Sequence, residues 1–268
     1  MRRRGKRSYE RVQRVLAWGG LLLMAACFVW WQSLPPWEQS ARDSRGLRPE
    51  DNRVVCVVID AGHGGQDSGA IRDGVQEKDL TLDVARRVQK LAVAQGFVTV
   101  LTRTGDETVS LAKRAALANR EESCVFVSIH FDKGARATAT GVQTFYAIRQ
   151  VPRERVVSSW LPFLQQVSLE PTNDESRSLA AFVQEAMVAR TQAFDRGTRA
   201  EQFYVVANVR HPAVLVEGGF LSNPDDVAKI TTEAYRQELA VAISEGLVRY
   251  REIVNQRELM ESSTMPQS

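Results

Sequence analysis

Two of the three histidines stand where the chain leaves an apolar run. His63 lies in Asp60-Ala61-Gly62-His63-Gly64-Gly65, directly after one such run, and His130 closes Ser128-Ile129-His130 at the end of another. If both runs are strands of an open α/β sheet, the loops beyond their carboxyl ends converge on one crevice. Two imidazoles and a carboxylate gathered there would make a His-His-Glu zinc site with open positions for water. Glu77, in Glu77-Lys78-Asp79-Leu80, opens a helix that returns to the same rim and is the natural third ligand. The glycines around His63 suit a tight turn that brings backbone close to metal and substrate. Glu217 ends a buried-type strand, Ala213-Val214-Leu215-Val216-Glu217, and is followed by two glycines. At a metal rim it is positioned as a general base, and partial desolvation would move its pKa toward neutrality.

Each residue also has a plainer reading. His63 alone is a turn histidine bonded to backbone, His130 a satisfied core residue, and Glu77 a favourable charge at a helix N-terminus. Asp67, Asp73 and Asp79 compete with Glu77 for a ligand role on composition alone. His211, in Arg210-His211-Pro212, precedes a strand and reads as structural or rim-lining.

The elements that must position these groups can be read from hydrophobic pattern. Arg53 to Asp60 is a continuous apolar run ending in a carboxylate, as in a strand buried on both faces. Leu80, Val84, Val88 and Leu91 recur at helical spacing before Gly96, and Phe97 to Thr102 reads as a second strand. Leu111, Ala115 and Ala118 suit a second helix, and Cys124 to Ile129 a third strand. This alternation predicts an α/β fold, a single domain with a central, mostly parallel twisted sheet flanked by helices. A strand near Gly141 to Ala147, a helix from about Ser176 to Ala193, strands at Phe203–Val206 and Ala213–Glu217, and a long closing helix through Ala240, Ile243, Leu247, Tyr250 and Val254 complete it. Ser222-Asn223-Pro224 is a helix start, a capping side chain followed by Pro. Residues 149–175, with Pro152, Pro162 and Pro171, read as an insertion or lid within a catalytic-size domain spanning 53–254, and 255–268 as a frayed polar tail.

The chain has 268 residues, 44% hydrophobic and 25% charged, enough apolar material to bury a core and too much for a disordered chain. Residues 1–14 hold a charge of +6, so the overall +3 leaves −3 for the rest. A mildly acidic body argues against nucleic acid as partner. The basic tail abuts an uncharged run at 15–31, the lower edge of a membrane-spanning length, and clustered Arg ahead of it predicts export of the chain beyond the run. It reads as a signal anchor in preference to a cleaved signal peptide, with 32–52 as a tether. No Cys-x-x-Cys pair exists among the three cysteines, which excludes a thiolate zinc site. Cys56 and Cys124 read as small buried apolar residues, with a disulfide between them permitted after export.

VVIDAGHGGQDSGAI (57–71), EKDLTLDVA (77–85), SIH (128–130), GVQTFY (141–146), DRGTRAEQFYVV (195–206) and PAVLVEGGFLSNPDD (212–226) occur in this order. The set resembles the zinc-dependent N-acetylmuramoyl-L-alanine amidases, cell-wall hydrolases of amidase type 3, across about 57–250. The resemblance implies zinc ligands at His63, Glu77 and His130 and a catalytic glutamate at Glu217. It implies hydrolysis of the amide between the lactyl group of N-acetylmuramic acid and L-alanine of the peptidoglycan stem, using a zinc-activated water. It implies peptidoglycan as partner, a periplasmic-side location at the inner membrane, and leaves room for an envelope activator protein. The rival readings are a non-catalytic wall-binding module of the same fold and a zinc hydrolase cutting another wall bond. Phe131, followed by Asp132, where the family usually has a small residue after the second histidine, and Gly218, where it often has a larger one, are two departures expected at the walls of the site.

Overall fold

The computed structural model describes residues 54–134, 136–151 and 173–264. The basic tail, apolar run and tether expected over 1–52, and residues 152–172 of the expected insertion, lie outside the described residues. Among the described residues no helix is long and apolar enough to cross a membrane.

The chain forms β1 (Cys56–Ala61), β2 (Ile71–Arg72), β3 (Val75–Gln76), α1 (Glu77–Ala94), β4 (Val98–Leu101), α2 (Leu111–Ala118) and β5 (Cys124–Asp132). It continues through β6 (Val142–Tyr146), α3 (Asp174–Thr191), β7 (Asp195–Ala200), α4 (Tyr204–Ala207), β8 (Ala213–Phe220), α5 (Pro224–Ile230) and α6 (Glu233–Thr264). Six strands make one sheet in the order β4-β1-β5-β8-β6-β7, and β2 with β3 makes a small hairpin. Every neighbouring pair in the large sheet is parallel except β8 with β6. The expected α/β architecture is therefore the observed one.

The sheet is covered on both faces because alternate residues of its central strands are apolar on both sides. Val57, Ile59, Val125 and Val127 face the larger core with Val84 and Val88 of α1, Leu179 and Val183 of α3, and Ile243 and Leu247 of α6. Cys56, Val58, Cys124 and Phe126 face a smaller one with Ala115 and Ala118 of α2 and Val205 and Val206 of α4. Each large apolar side chain among them stabilises the fold by roughly 1.5–3 kcal/mol. Cys56 and Cys124, register partners in β1 and β5, form a disulfide instead of remaining free apolar residues.

Several expectations are corrected. The strand expected at Phe203–Val206 is a short helix, Tyr204–Ala207, because Val205 and Val206 both need the smaller core and only a helical turn points both there. The neighbouring strand is the charged Asp195–Ala200, an edge strand mostly exposed and so without the apolar alternation that would reveal it. Leu111 is 52% exposed, and Arg114 takes the inward place on α2 beside Ala115 and Ala118. The closing helix runs through Thr264, well into the expected frayed tail. At the margins of the 149–175 segment, Val151 N–H donates to the Ala207 carbonyl, and Asp174 and Glu175 begin α3. Asn223 does start a helix, accepting from the N–H groups of Asp225 and Asp226.

Candidate metal centre and active site

His63 lies two residues past β1, His130 on β5 and Glu77 at the first position of α1. Glu77 is delivered by the β2–β3 hairpin, whose Asp73-Gly74 turn has positive φ at both positions, as a tight two-residue hairpin requires. The Glu77 N–H then donates to the Ala70 carbonyl at 2.9 Å, which closes the loop over His63.

The three side chains meet. Glu77 Oε1 lies 3.0 Å from His63 Nε2 and 3.0 Å from His130 Nδ1, and the two rings meet edge to face at 4.9 Å. One nitrogen or oxygen atom from each residue falls within 4.8 Å of the others, close enough to hold a metal ion between them. The other carboxylate oxygen accepts from Ala70 N–H at 2.8 Å, while Phe131 N–H donates to Oε1 at 3.0 Å. Burial alone would raise the pKa of Glu77, but hydrogen bonds from His130 and His63 outweigh it and hold the carboxyl well below the ordinary range. Burial likewise works to lower the pKa of His63, yet its contacts with Glu77 and Asp67 leave it raised. Asp67 Oδ2 sits 2.9 Å from His63 Nδ1, so it orients the ring instead of competing with Glu77. Asp73 pairs with Arg72 on the surface.

Space at this point is tight. A Cβ on Gly62 would come within 2.3 Å of the His130 ring. One on Gly69, whose φ is +63°, would come within 2.5 Å of Glu77 Oε2. Both positions therefore need glycine for the cluster to close.

Glu217 lies in the interior of β8, not at its end, because β8 continues to Phe220; β5 likewise runs past His130 to Asp132. In register, His130 is opposite Glu217, and Glu217 is opposite Gln143 on β6. Paired residues share a face of a sheet, so these three form one row on the face that carries the smaller core. Glu217 Oε2 is shut from solvent and has no hydrogen-bond partner among the described residues. Burial first, then the Glu77 and Asp132 carboxylates, push its pKa well above the usual glutamate value. The Phe131 side chain and Gly218 do not line the site as expected, although Phe131 N–H reaches Glu77. Phe131 is buried in the larger core, and a Cβ on Gly218 would meet its ring at 2.9 Å, so the large residue occupies the space the glycine leaves.

His211 lies at the opposite end of the sheet. Its Nε2 is 2.9 Å from the Glu121 carbonyl oxygen, beside a recess of about 290 Å³ that includes Val54, Cys124 and Arg210. That recess lies at the amino-terminal ends of the parallel strands, away from the imidazole pair.

Two residues that sequence reasoning missed hold the His63 loop from beneath. Arg103 donates to the carbonyls of Ala61, Gly62 and Lys78 at 2.7–2.9 Å. Arg114 pairs with the buried Asp60 at 2.6 Å and donates to the carbonyls of Ala61 and His63, each at 2.6 Å. Asp60 also accepts from Thr102 and Ser128 hydroxyls at 2.6 Å. The available signal was Arg114 on the inward stripe of α2, with a carboxylate ending the first strand as its partner.

A mostly parallel α/β sheet with a His-His-Glu cluster at the carboxyl ends of its central strands has the form of a metal-dependent hydrolase. The N-acetylmuramoyl-L-alanine amidase family model matches residues 57–249, and the chain belongs to that family. It is 30% identical over 218 residues to the N-acetylmuramoyl-L-alanine amidase AmiA of Escherichia coli, covering 72% of this chain and 75% of that protein. It is 33% identical over 201 residues to the N-acetylmuramoyl-L-alanine amidase LytC of Bacillus subtilis, covering 74% of this chain but 36% of that longer protein. Among solved structures, an N-acetylmuramoyl-L-alanine amidase from Clostridium difficile 630 superposes with a TM-score of 0.63 at 33% identity, over 75% of this chain and 98% of that one. The CwlD amidase of Clostridioides difficile, solved in complex with the GerS lipoprotein, superposes with a TM-score of 0.61 at 25% identity, over 74% of this chain and 98% of that one.

Proposed function

We propose that this chain hydrolyses the amide between the lactyl group of N-acetylmuramic acid and L-alanine in peptidoglycan, with His63, Glu77 and His130 holding zinc and Glu217 acting as general base. The observation that carries this is the convergence of two imidazole nitrogens on one carboxylate oxygen, next to a half-buried glutamate with one enclosed, unpartnered oxygen. The donor set fits zinc: His63, His130 and Glu77 would supply two imidazole nitrogens and a carboxylate oxygen, and Asp67 fixes one ring from behind. When bound, zinc lowers the pKa of water and polarises a carbonyl.

The protein's own groups do the rest. Glu217 lies next to His130 in the row of side chains, so its free oxygen can accept the proton of the attacking water and pass it to the departing alanine nitrogen. Its raised pKa suits both halves of that exchange. The reading extends to a domain over 53–254 that is exported and tethered through 15–31. The complex of the related CwlD with a lipoprotein supports an envelope activator as partner.

The test uses the purified full-length protein on isolated sacculi with mass measurement of the products. Stem peptides with a free L-alanine amine are expected, lost with a chelator and restored by zinc. His63→Ala and His130→Ala should each lower zinc per chain. Products with any other new end would point to a different wall bond, and zinc-loaded protein that binds sacculi but releases nothing would make it a binding module.

A further inference from the structure

Arg196 stands beside this site and has no part in the chemistry above. Between β6 and β7 the register slips: Val142 pairs with Asp195, but Thr144 pairs with Thr198. β7 thus carries one extra residue, and Gly197 takes a φ of 72° there. A bulge of this kind re-aims the side chain next to it. Here the Arg196 guanidinium lies over the ring of Phe220, 4.8 Å from its centroid, and Phe220 ends the same strand that holds Glu217. The backbone is tied to the same row of side chains, since Gln143 Nε2 donates to the Arg196 carbonyl at 3.3 Å and Gln143 is the register partner of Glu217.

The side chain is exposed, and its hydrogen bond among the described residues is a long one, Nη1 to the Thr140 carbonyl at 3.4 Å. No described carboxylate forms an ion pair with it. A guanidinium stacked on an aromatic face keeps its planar fork of donors free along the edge, the geometry that takes a carboxylate in two hydrogen bonds. Of the nearby protein carboxylates, Glu77 and Glu217 are engaged or enclosed within the site, Asp226 is taken up by Thr140, Gly141 and Phe220, and Asp132 feels Arg196 only through space. The anion this fork fits is therefore one that arrives with the substrate.

We propose that Arg196 is a specificity residue that binds the stem-peptide carboxylate closest to the scissile amide. In peptidoglycan this is the α-carboxylate of the γ-linked D-glutamyl residue that follows L-alanine. The proposal rests on the amidase reading. It is tested with two soluble substrates, N-acetylmuramoyl-L-alanyl-D-glutamate and the same molecule with that carboxylate amidated. The wild-type protein should favour the free acid in kcat/KM by roughly tenfold or more, the scale of a charge-assisted hydrogen bond. Arg196→Gln should bring the ratio close to one, chiefly through KM for the free acid, and Arg196→Lys should retain part of the preference. Because the ratio is internal to each variant, altered folding yield does not enter it. Equal wild-type rates on both substrates, or an equal fall on both in Arg196→Gln, would overturn the proposal. Sacculi digested in parallel test the amidase reading separately: no release of stem peptides with a free L-alanine amine would overturn that reading, and this proposal with it.

Discussion

Replacing Glu217 with glutamine should move activity and stability in opposite directions. The amide keeps the shape of the side chain and cannot serve as a base. Loss of a general base costs about 10²–10⁴-fold in rate, which is about 3–5 kcal/mol of barrier. Stability depends on the surroundings of the carboxylate: the residue is half-buried, its Oε2 is shut from solvent with no partner among the described residues, and Glu77 and Asp132 bear on it with like charge. These raise its pKa in the folded state. As pH climbs past about 4.3, where a free glutamate loses its proton, the unfolded chain releases a proton that the folded chain still holds. The folded state is then the one with more bound protons, so stability falls with rising pH through the folded pKa. Glutamine removes this component. Metal-free Glu217→Gln should be more stable than metal-free wild type at neutral pH by about 1 kcal/mol, the common scale for relieving a strained functional group. The gap should widen from acid to neutral pH. Urea unfolding in chelator at several pH values, together with sacculus digestion by the zinc-loaded proteins, measures both. A variant that is destabilised at neutral pH, or that digests sacculi like the wild type, would refute the reasoning.

Arg114→Met should cost about 3–5 kcal/mol by leaving the buried Asp60 carboxylate without its cation. Arg114→Met with Asp60→Asn should cost less than the sum of the two single changes, as a urea double-mutant cycle would read. Reducing the Cys56–Cys124 disulfide frees a loop with a sequence separation of 68 and should cost up to about 4 kcal/mol by chain entropy. An unchanged urea midpoint with reductant, once thiol titration shows both sulfurs free, would argue that the unfolded chain is already compact.

The central sheet was legible because its strands are buried on both faces and so read as unbroken apolar runs, from Val57 to Ile59 and from Val125 to Val127. His63, His130 and Glu217 stood out because a histidine or glutamate closing such a run is out of place unless it has work to do. The edge of the sheet was not legible. Asp195–Ala200 has no buried face to impose a period, so its strand arises from pairing with β6 alone. Extents also went unread: β5 and β8 each run beyond the residue that marks the site, and α6 runs on to Thr264. The Cys56–Cys124 bond depended on register between strands 68 residues apart, which local pattern does not contain. Phe131 looked anomalous only because its fit to Gly218 was invisible one residue at a time.

Charge balance explains why so polar a cluster can persist in a fold of this size. His63 has a φ of 60°, a conformation few residues other than glycine adopt, and its carbonyl is claimed by Arg114. Arg103 and Arg114 between them take three consecutive carbonyls of the loop, Ala61 to His63, so the turn is fixed before any ligand arrives. Asp60, the anion opposite Arg114, is satisfied on the sheet side by Thr102 and Ser128. Arg103 and Arg114 are thus taken up by backbone and Asp60 below the loop, while Glu77, Glu217 and Asp132 bear on one another above it. A divalent cation among His63, Glu77 and His130 would offset those charges. On the proposed reading, binding the metal therefore relieves the repulsion at the site as well as arming it. Chelation should accordingly lower the stability of the wild-type protein more than that of Glu217→Gln.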